Sequence, residues 1–169
     1  MPSTVIHGGV QVMFVLLIKI TYFASSFKQK EVIMNIKRFI IASLAVFISF
    51  EILDFIIHSV ILMNAYESLE HIWRPDMMDK MWIMYLTALF FSFMFVYIFT
   101  KGYEGKGWIE GARFGLIIGL LMLVVGIFNQ YVVFPIPLSL TIQWLIYGLI
   151  EYIIIGIVAA LIYKPKQVT

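Results

Sequence analysis

The sequence predicts an all-α fold, a polytopic transmembrane helical bundle with four core spans. Three observations lead there. Of the 169 residues, 62% are hydrophobic and 13% charged, against roughly 45–50% and about 25% in ordinary soluble domains. The apolar residues are gathered into four runs, each of the order of the 20 residues a bilayer-crossing helix needs. Lys and Arg are distributed unequally among the segments that join the runs. The runs do not alternate in polarity as barrel strands would, and only helices and closed barrels satisfy every backbone group in lipid.

The first span is expected from about Phe39 to Met63, the second from Met81 to Thr100, the third from Ala112 to Phe134 and the fourth from Leu138 to Tyr163. Residues 34–169 read as a single four-helix transmembrane domain, with no room for a separate soluble domain. Residues 1–33 read as an N-terminal extension of doubtful structure. Val10 to Ile18 is apolar, but Lys19 interrupts it, and Met1 to Gly9 lacks the basic start of a signal peptide. Three readings compete there: a fifth span, an interfacial helix, or an extension upstream of a start at Met34. The extension and the interfacial helix are favoured over the fifth span.

Orientation follows from the basic residues. Lys28, Lys30, Lys37, Arg38, Lys101, Lys106, Arg113, Lys164 and Lys166 fall on one side of the expected spans. The other side has only Arg74 and Lys80, among Glu67, Glu70, Asp76 and Asp79. The excess of Lys and Arg marks the cytoplasmic side, so both core termini are expected there. The acidic loop from Asn64 to Lys80 and the turn at Pro135-Ile136-Pro137 then face outward. Trp82-Ile83-Met84-Tyr85 and Trp144-Leu145-Ile146-Tyr147 open spans two and four alike. The preference of Trp and Tyr for the membrane interface accounts for most of that likeness.

Gly111, Gly115 and Gly119, with Gly126 seven residues on, lie along one face of span three; Gly148, Gly156 and Ala160 do the same on span four. Small residues at this spacing let two backbones approach closely. Spans three and four are therefore expected to pack tightly within the chain, a dimer contact being the other use of such a face. Asp76, after Pro75, is expected to cap span two.

The residues that demand an explanation are three acids. Glu51, Asp54 and Glu151 lie near the middle of apolar runs that hold no Lys or Arg at that depth. Ionisable groups there are costly and are held by function or by a partner. Glu51, Asp54 and His58, at i, i+3 and i+7, share one helical face, and His58 lies about 10 Å further outward at 1.5 Å per residue. Glu151 falls at the depth of Glu51. Tyr85, Asn129, Gln130 and Tyr147 fall in the outer half, and Gln143 nearer still to the outer surface. The reading is a carboxylate layer at mid-membrane beneath a layer of imidazole, amide and phenol, converging inside the bundle and opening outward. Three carboxyls against one imidazole are not all ionised at once without a compensating cation.

Other chemistries are weaker. Cysteine is absent, which excludes thiolate metal sites and cysteine nucleophiles. A net charge of +2 gives no case for nucleic acid. Glu51, Asp54, His58 and Glu151 are candidate ligands for iron, manganese or zinc, but only half of a di-iron Glu-x-x-His pattern is present. Met63, Met77, Met78, Met81 and Met84 gather near the outer face with His71, as a copper(I) site would need and as ordinary filler also would. His58 alone lies within a span, which disfavours membrane haem. Gly102 to Gly107 lacks the strand-to-helix setting of a phosphate loop. No catalytic residue and no cofactor is assigned by the sequence.

From about Met34 to Pro165 the chain resembles small uncharacterised bacterial membrane proteins with four predicted spans. The resemblance rests on Glu51-x-x-Asp54-x-x-x-His58, Trp73-Arg74-Pro75, Glu110-Gly111-Ala112-Arg113-Phe114-Gly115, Pro135-Ile136-Pro137, and Trp144 with Glu151. It implies the four-span architecture and the bacterial cytoplasmic (inner) membrane, and carries no activity. The functional expectation is a non-enzymatic accessory, assembly or transport-related protein with a buried carboxylate and histidine site. The alternatives are a membrane metal-binding or redox component built on the Glu/Asp/His ladder, and a structural subunit joined to its partner through the glycine face. The partners expected are the lipid bilayer and a homo-oligomer or larger membrane complex.

Overall fold

A computed structural model describes residues 34–166. The expectations for residues 1–33 lie outside the described residues. Five helices and, among the described residues, no strand make up the fold. Helix α1 (Ile36–Asp54) runs directly into a π-helical segment (Phe55–Ile61), followed by the short α2 (Met63–Glu67). Two 3-10 turns (Glu70–Ile72 and Met78–Lys80) precede α3 (Met81–Lys101); α4 (Trp108–Val133) and α5 (Leu138–Ile162) complete the chain.

Four helical stretches, Ile36–Ile61, Met78–Lys101, Trp108–Val133 and Leu138–Ile162, are 24–26 residues long and apolar enough to cross a membrane. At 1.5 Å per residue they are about 36–39 Å long, against a hydrocarbon core of about 30 Å. Their ends follow local chemistry. Asn35 caps α1, its side chain accepting from the Arg38 amide at 3.2 Å. Gly107, with φ 69°, turns the chain into α4, a conformation glycine adopts without steric cost. Phe134, before Pro135, is extended and ends α4, because a proline disfavours the helical region for the residue before it. Hydroxyls inside the helices are satisfied locally: Ser43 by the Phe39 carbonyl at 2.9 Å, Ser92 by that of Ala88 at 2.8 Å and Thr141 by that of Pro137 at 3.1 Å.

Neighbouring helices run antiparallel. Met34, Thr100, Tyr103, Gly111 and Tyr163 share one end of the bundle, as the Met34–Thr100, Tyr103–Tyr163 and Gly111–Gly156 contacts show. That end also carries Lys37, Arg38, Lys101, Lys106, Arg113, Lys164 and Lys166, and is called the basic end below. Glu67, Glu70, Asp76 and Asp79 lie in the segment at the other, acidic end.

The main core sits toward the basic end. Ala42 and Val46 of α1, Phe95, Val96 and Phe99 of α3, and Tyr152, Ile155 and Ala159 of α5 are buried together. Phe114 of α4 joins them, its ring 4.7 Å from Phe95 and 5.3 Å from Phe99. A second, smaller core lies toward the acidic end, where Ile57, Leu62, Ile136 and Leu140 meet Tyr66, Trp144 and Tyr147. Nothing from α3 enters that second cluster, and the first turns of α3, from Trp82 to Thr87, are exposed throughout.

The most extensive helix contact is α4 on α5. A Cβ on Gly111 would collide with the Gly156 carbonyl oxygen, and one on Gly115 with the Tyr152 carbonyl oxygen. On Gly119 it would come within 2.8 Å of Tyr152 Cβ, and on Gly148 within 2.9 Å of Leu123 Cδ1. Gly126 departs from the expected packing face: nothing lies within 4 Å of a Cβ built there. Leu123, seated against Gly148, fills the seam one turn earlier, and Gly126 lies beyond the stretch where backbones touch. Asp76 does not cap a helix. Its carboxylate pairs with Arg74 and Lys80, and α3 begins after Lys80 with no side-chain cap.

Candidate functional site

The site grows from the upper half of α1. Glu51 and Asp54, three residues apart, leave the helix on neighbouring positions just before it widens into the π segment. The widening is visible in the Leu62 amide, which bonds five residues back to the Ile57 carbonyl at 2.9 Å. Such π turns are uncommon and occur frequently at functional sites. His58 sits within the segment, its Nε2 3.5 Å from Asp54 Oδ1.

From His58 the polar contacts leave the membrane-spanning helix. The chain after Leu62 folds back, and the Tyr66 hydroxyl hydrogen-bonds His58 Nδ1. The two rings stack with centroids 5.7 Å apart and planes 15° from parallel. Trp144 Nε1 of α5 donates to the same hydroxyl at 2.6 Å. Trp73 Nε1 donates to the Tyr66 carbonyl at 3.3 Å, its ring edge-on to Tyr66. Burial pushes the Tyr66 phenol up to about 12, the Trp144 hydrogen bond opposing the shift, so the group stays neutral. Indole N–H only donates; the Tyr66 oxygen therefore accepts from Trp144 while its proton is free to face His58. With that proton on the His58 side, Nδ1 accepts and the imidazole presents Nε2–H to Asp54.

Beside this chain of contacts lies a cleft of about 670 Å³ between α1 and α3. Phe50, Glu51 and Asp54 contribute from α1, and Phe55 and Ser59 from the π segment; Tyr85, Thr87, Ala88 and Phe91 contribute from α3. Among the described residues, no Lys or Arg lines it. The cleft exists because the two helices pack together near the basic end, through Ala42, Val46, Phe95 and Val96, and share no buried core near the acidic end.

Glu151 projects from α5 and is 5% exposed. Its Oε1 has no hydrogen-bond partner among the described residues. Of the expected carboxylate layer, Glu51 and Asp54 line the α1–α3 cleft and Glu151 is buried on α5. The layer is not a ligand set: among the described residues, no three His, Asp or Glu side chains come together to hold a metal ion.

The outer polar layer divides. His58 joins Tyr66. Tyr85 lines the α1–α3 cleft, half exposed, while Tyr147 packs into the second core. Asn129 and Gln130 are exposed on α4 and do not converge with the rest. The reason is the position of α4, whose extensive contact among the described residues is α5. Gln143 is exposed, as are Met63, Met77, Met78 and Met84 of the methionine group and His71.

Two polar residues matter more than their sequence context indicates. Tyr66 lies beyond the apolar run, where no periodicity signals that the chain turns back. Glu110 is buried at the start of α4 and accepts from the Glu104 amide at 2.6 Å and the Lys106 amide at 2.7 Å, closing the loop between α3 and α4. Its place in the first turn, after a Gly-rich loop, is the signal available for it. Trp144, read as an interface residue, is a hydrogen-bond donor inside the protein, whereas Trp82, its counterpart in the internal likeness, is 60% exposed.

Fold and site define a multi-pass helical membrane protein with four spans. Comparison with protein-family models, curated proteins and solved structures finds no match to this chain.

Proposed function

We propose that the chain is a non-enzymatic, transport-related membrane protein that admits protons or a small cation to Glu51 and Asp54 from the acidic side. The observation that carries the reading is the cleft between α1 and α3, lined among the described residues by two carboxyls and no basic side chain. The contacts from Tyr66 through His58 to Asp54 set three groups that can exchange protons beside it, with Trp144 holding the Tyr66 hydroxyl in place. Glu151 supplies a third acid, buried on α5. Acids at membrane depth are a recurring element of ion pathways and proton relays.

The reading includes placement in the bacterial cytoplasmic membrane with both core termini cytoplasmic. The basic residues gathered at one end support it through the positive-inside rule, and the resemblance to bacterial four-span proteins supports the membrane assigned. The metal-centred alternative has less support, since the acids and His58 do not surround a common point. The glycine-face alternative has less too, since Gly111, Gly115, Gly119, Gly148 and Gly156 already meet side chains or backbone of this chain.

The test is reconstitution of the full chain in liposomes under an imposed potential, with internal pH and rubidium uptake followed. Flux of either ion is expected, reduced by Glu51→Gln and Asp54→Asn and unchanged by Asn129→Ala. Empty-liposome rates from the intact protein would overturn the proposal.

A further inference from the structure

The lining of the α1–α3 cleft is more selective than a route for a bare ion requires. A hydrated proton or alkali cation needs oxygen ligands and water. This cleft offers two carboxyls set among Phe50, Phe55, Tyr85 and Phe91. Aromatic faces attract cations, most strongly organic cations that shed water easily. The volume, about 670 Å³, falls within the roughly 300–1,000 Å³ typical of small-molecule sites. Ile52, Phe55 and Met84 at the rim are each more than half exposed, so a solute reaches the cleft past apolar side chains.

We infer that the α1–α3 cleft binds a hydrophobic organic cation, its charge against Glu51 and Asp54 and its apolar body against the aromatic side chains. The inference deepens the transport reading by naming the solute class of the same acids, and rests on that reading for its biological sense. Glu51 is the carboxyl to vary first, because Asp54 also pairs with His58. Ala88, on the α3 wall, is the place to fill the space without touching an acid.

The probe is tetraphenylphosphonium, with tetraphenylborate as a control of the same shape and opposite charge. Binding of each to the full detergent-solubilised chain is measured by equilibrium dialysis. Saturable binding of the cation and none of the anion is expected. Glu51→Gln is expected to weaken it by about ten-fold, the equivalent of one lost charge contact, and Ala88→Trp to abolish it while elution volume and helical circular dichroism stay unchanged. Equal uptake of both ions, or full affinity in folded Glu51→Gln and Ala88→Trp, would overturn the inference. Ion flux in liposomes with no phosphonium binding removes this inference and leaves the transport reading. Phosphonium binding without flux does the opposite.

Discussion

The Tyr66 hydroxyl takes a hydrogen bond from Trp144 Nε1 at 2.6 Å, across 78 positions of sequence, while its ring stacks on His58. One phenol thereby ties the segment after α1 to both α1 and α5. Tyr66 packs with Leu69, Ile72 and Tyr147 against the second core, and its polar contacts are part-buried.

Removing the hydroxyl leaves two groups without their partner. Tyr66→Phe is expected to destabilise the attachment of the segment by about 0.5–1.5 kcal/mol for each part-buried hydrogen bond lost. Trp144→Phe, which removes the donor alone, is expected to cost less. Hydrogen exchange of amides 62–73 in detergent measures both, and exchange unchanged by Tyr66→Phe would contradict the clasp.

The same phenol predicts a pH dependence. Its folded value is raised by burial to about 12 from an ordinary 10, so the folded state holds the proton where the unfolded state releases it. The segment's stability is then full below about pH 10 and falls as pH rises from 10 toward 12. Fluorescence of Trp73 and Trp144, followed from pH 8 to 12, is expected to show this loss, and Tyr66→Phe to flatten the profile.

Glycine positions on α4 are predicted to differ sharply. Gly115→Ala places a methyl against the Tyr152 carbonyl oxygen and is expected to destabilise by about 1–3 kcal/mol, the usual cost of overpacking. Gly126→Ala meets open space and is expected to be neutral or to stabilise by up to about 1 kcal/mol through helix propensity. Thermal unfolding of the two variants in one detergent compares them directly.

Glu110 is predicted to hold the α3–α4 loop. Its carboxylate receives both the Glu104 and Lys106 amides, and hydrogen bonds to a charged acceptor are worth about 1.5–3 kcal/mol each. Glu110→Ala is expected to speed exchange of those two amides strongly. Glu110→Gln, which keeps one acceptor oxygen, is expected to fall between.

The spans could be read because lipid imposes length and composition together: observed ends lie within a few residues of those expected. The glycine seam could be read for the same reason, since backbone approach needs small residues at fixed spacing. Gly126 shows the limit, for spacing gives the face of a helix and not how far along it a neighbour stays close. Asn129 and Gln130 show a second. Their depth follows from residue count, but the direction they face depends on which helices surround α4, and it has one close neighbour. Tyr66 shows a third, because a loop that folds back obeys no period. The π winding at His58 likewise leaves no mark in the pattern of apolar residues around it.

The two helix pairs differ in compliance. Where Gly111 and Gly115 of α4 meet α5, the backbones touch; along α1 and α3, a cleft separates the halves near the acidic end above a shared aromatic floor. A load on this bundle deforms the second pair first, with the floor as fulcrum and the α4–α5 pair as the stationary frame.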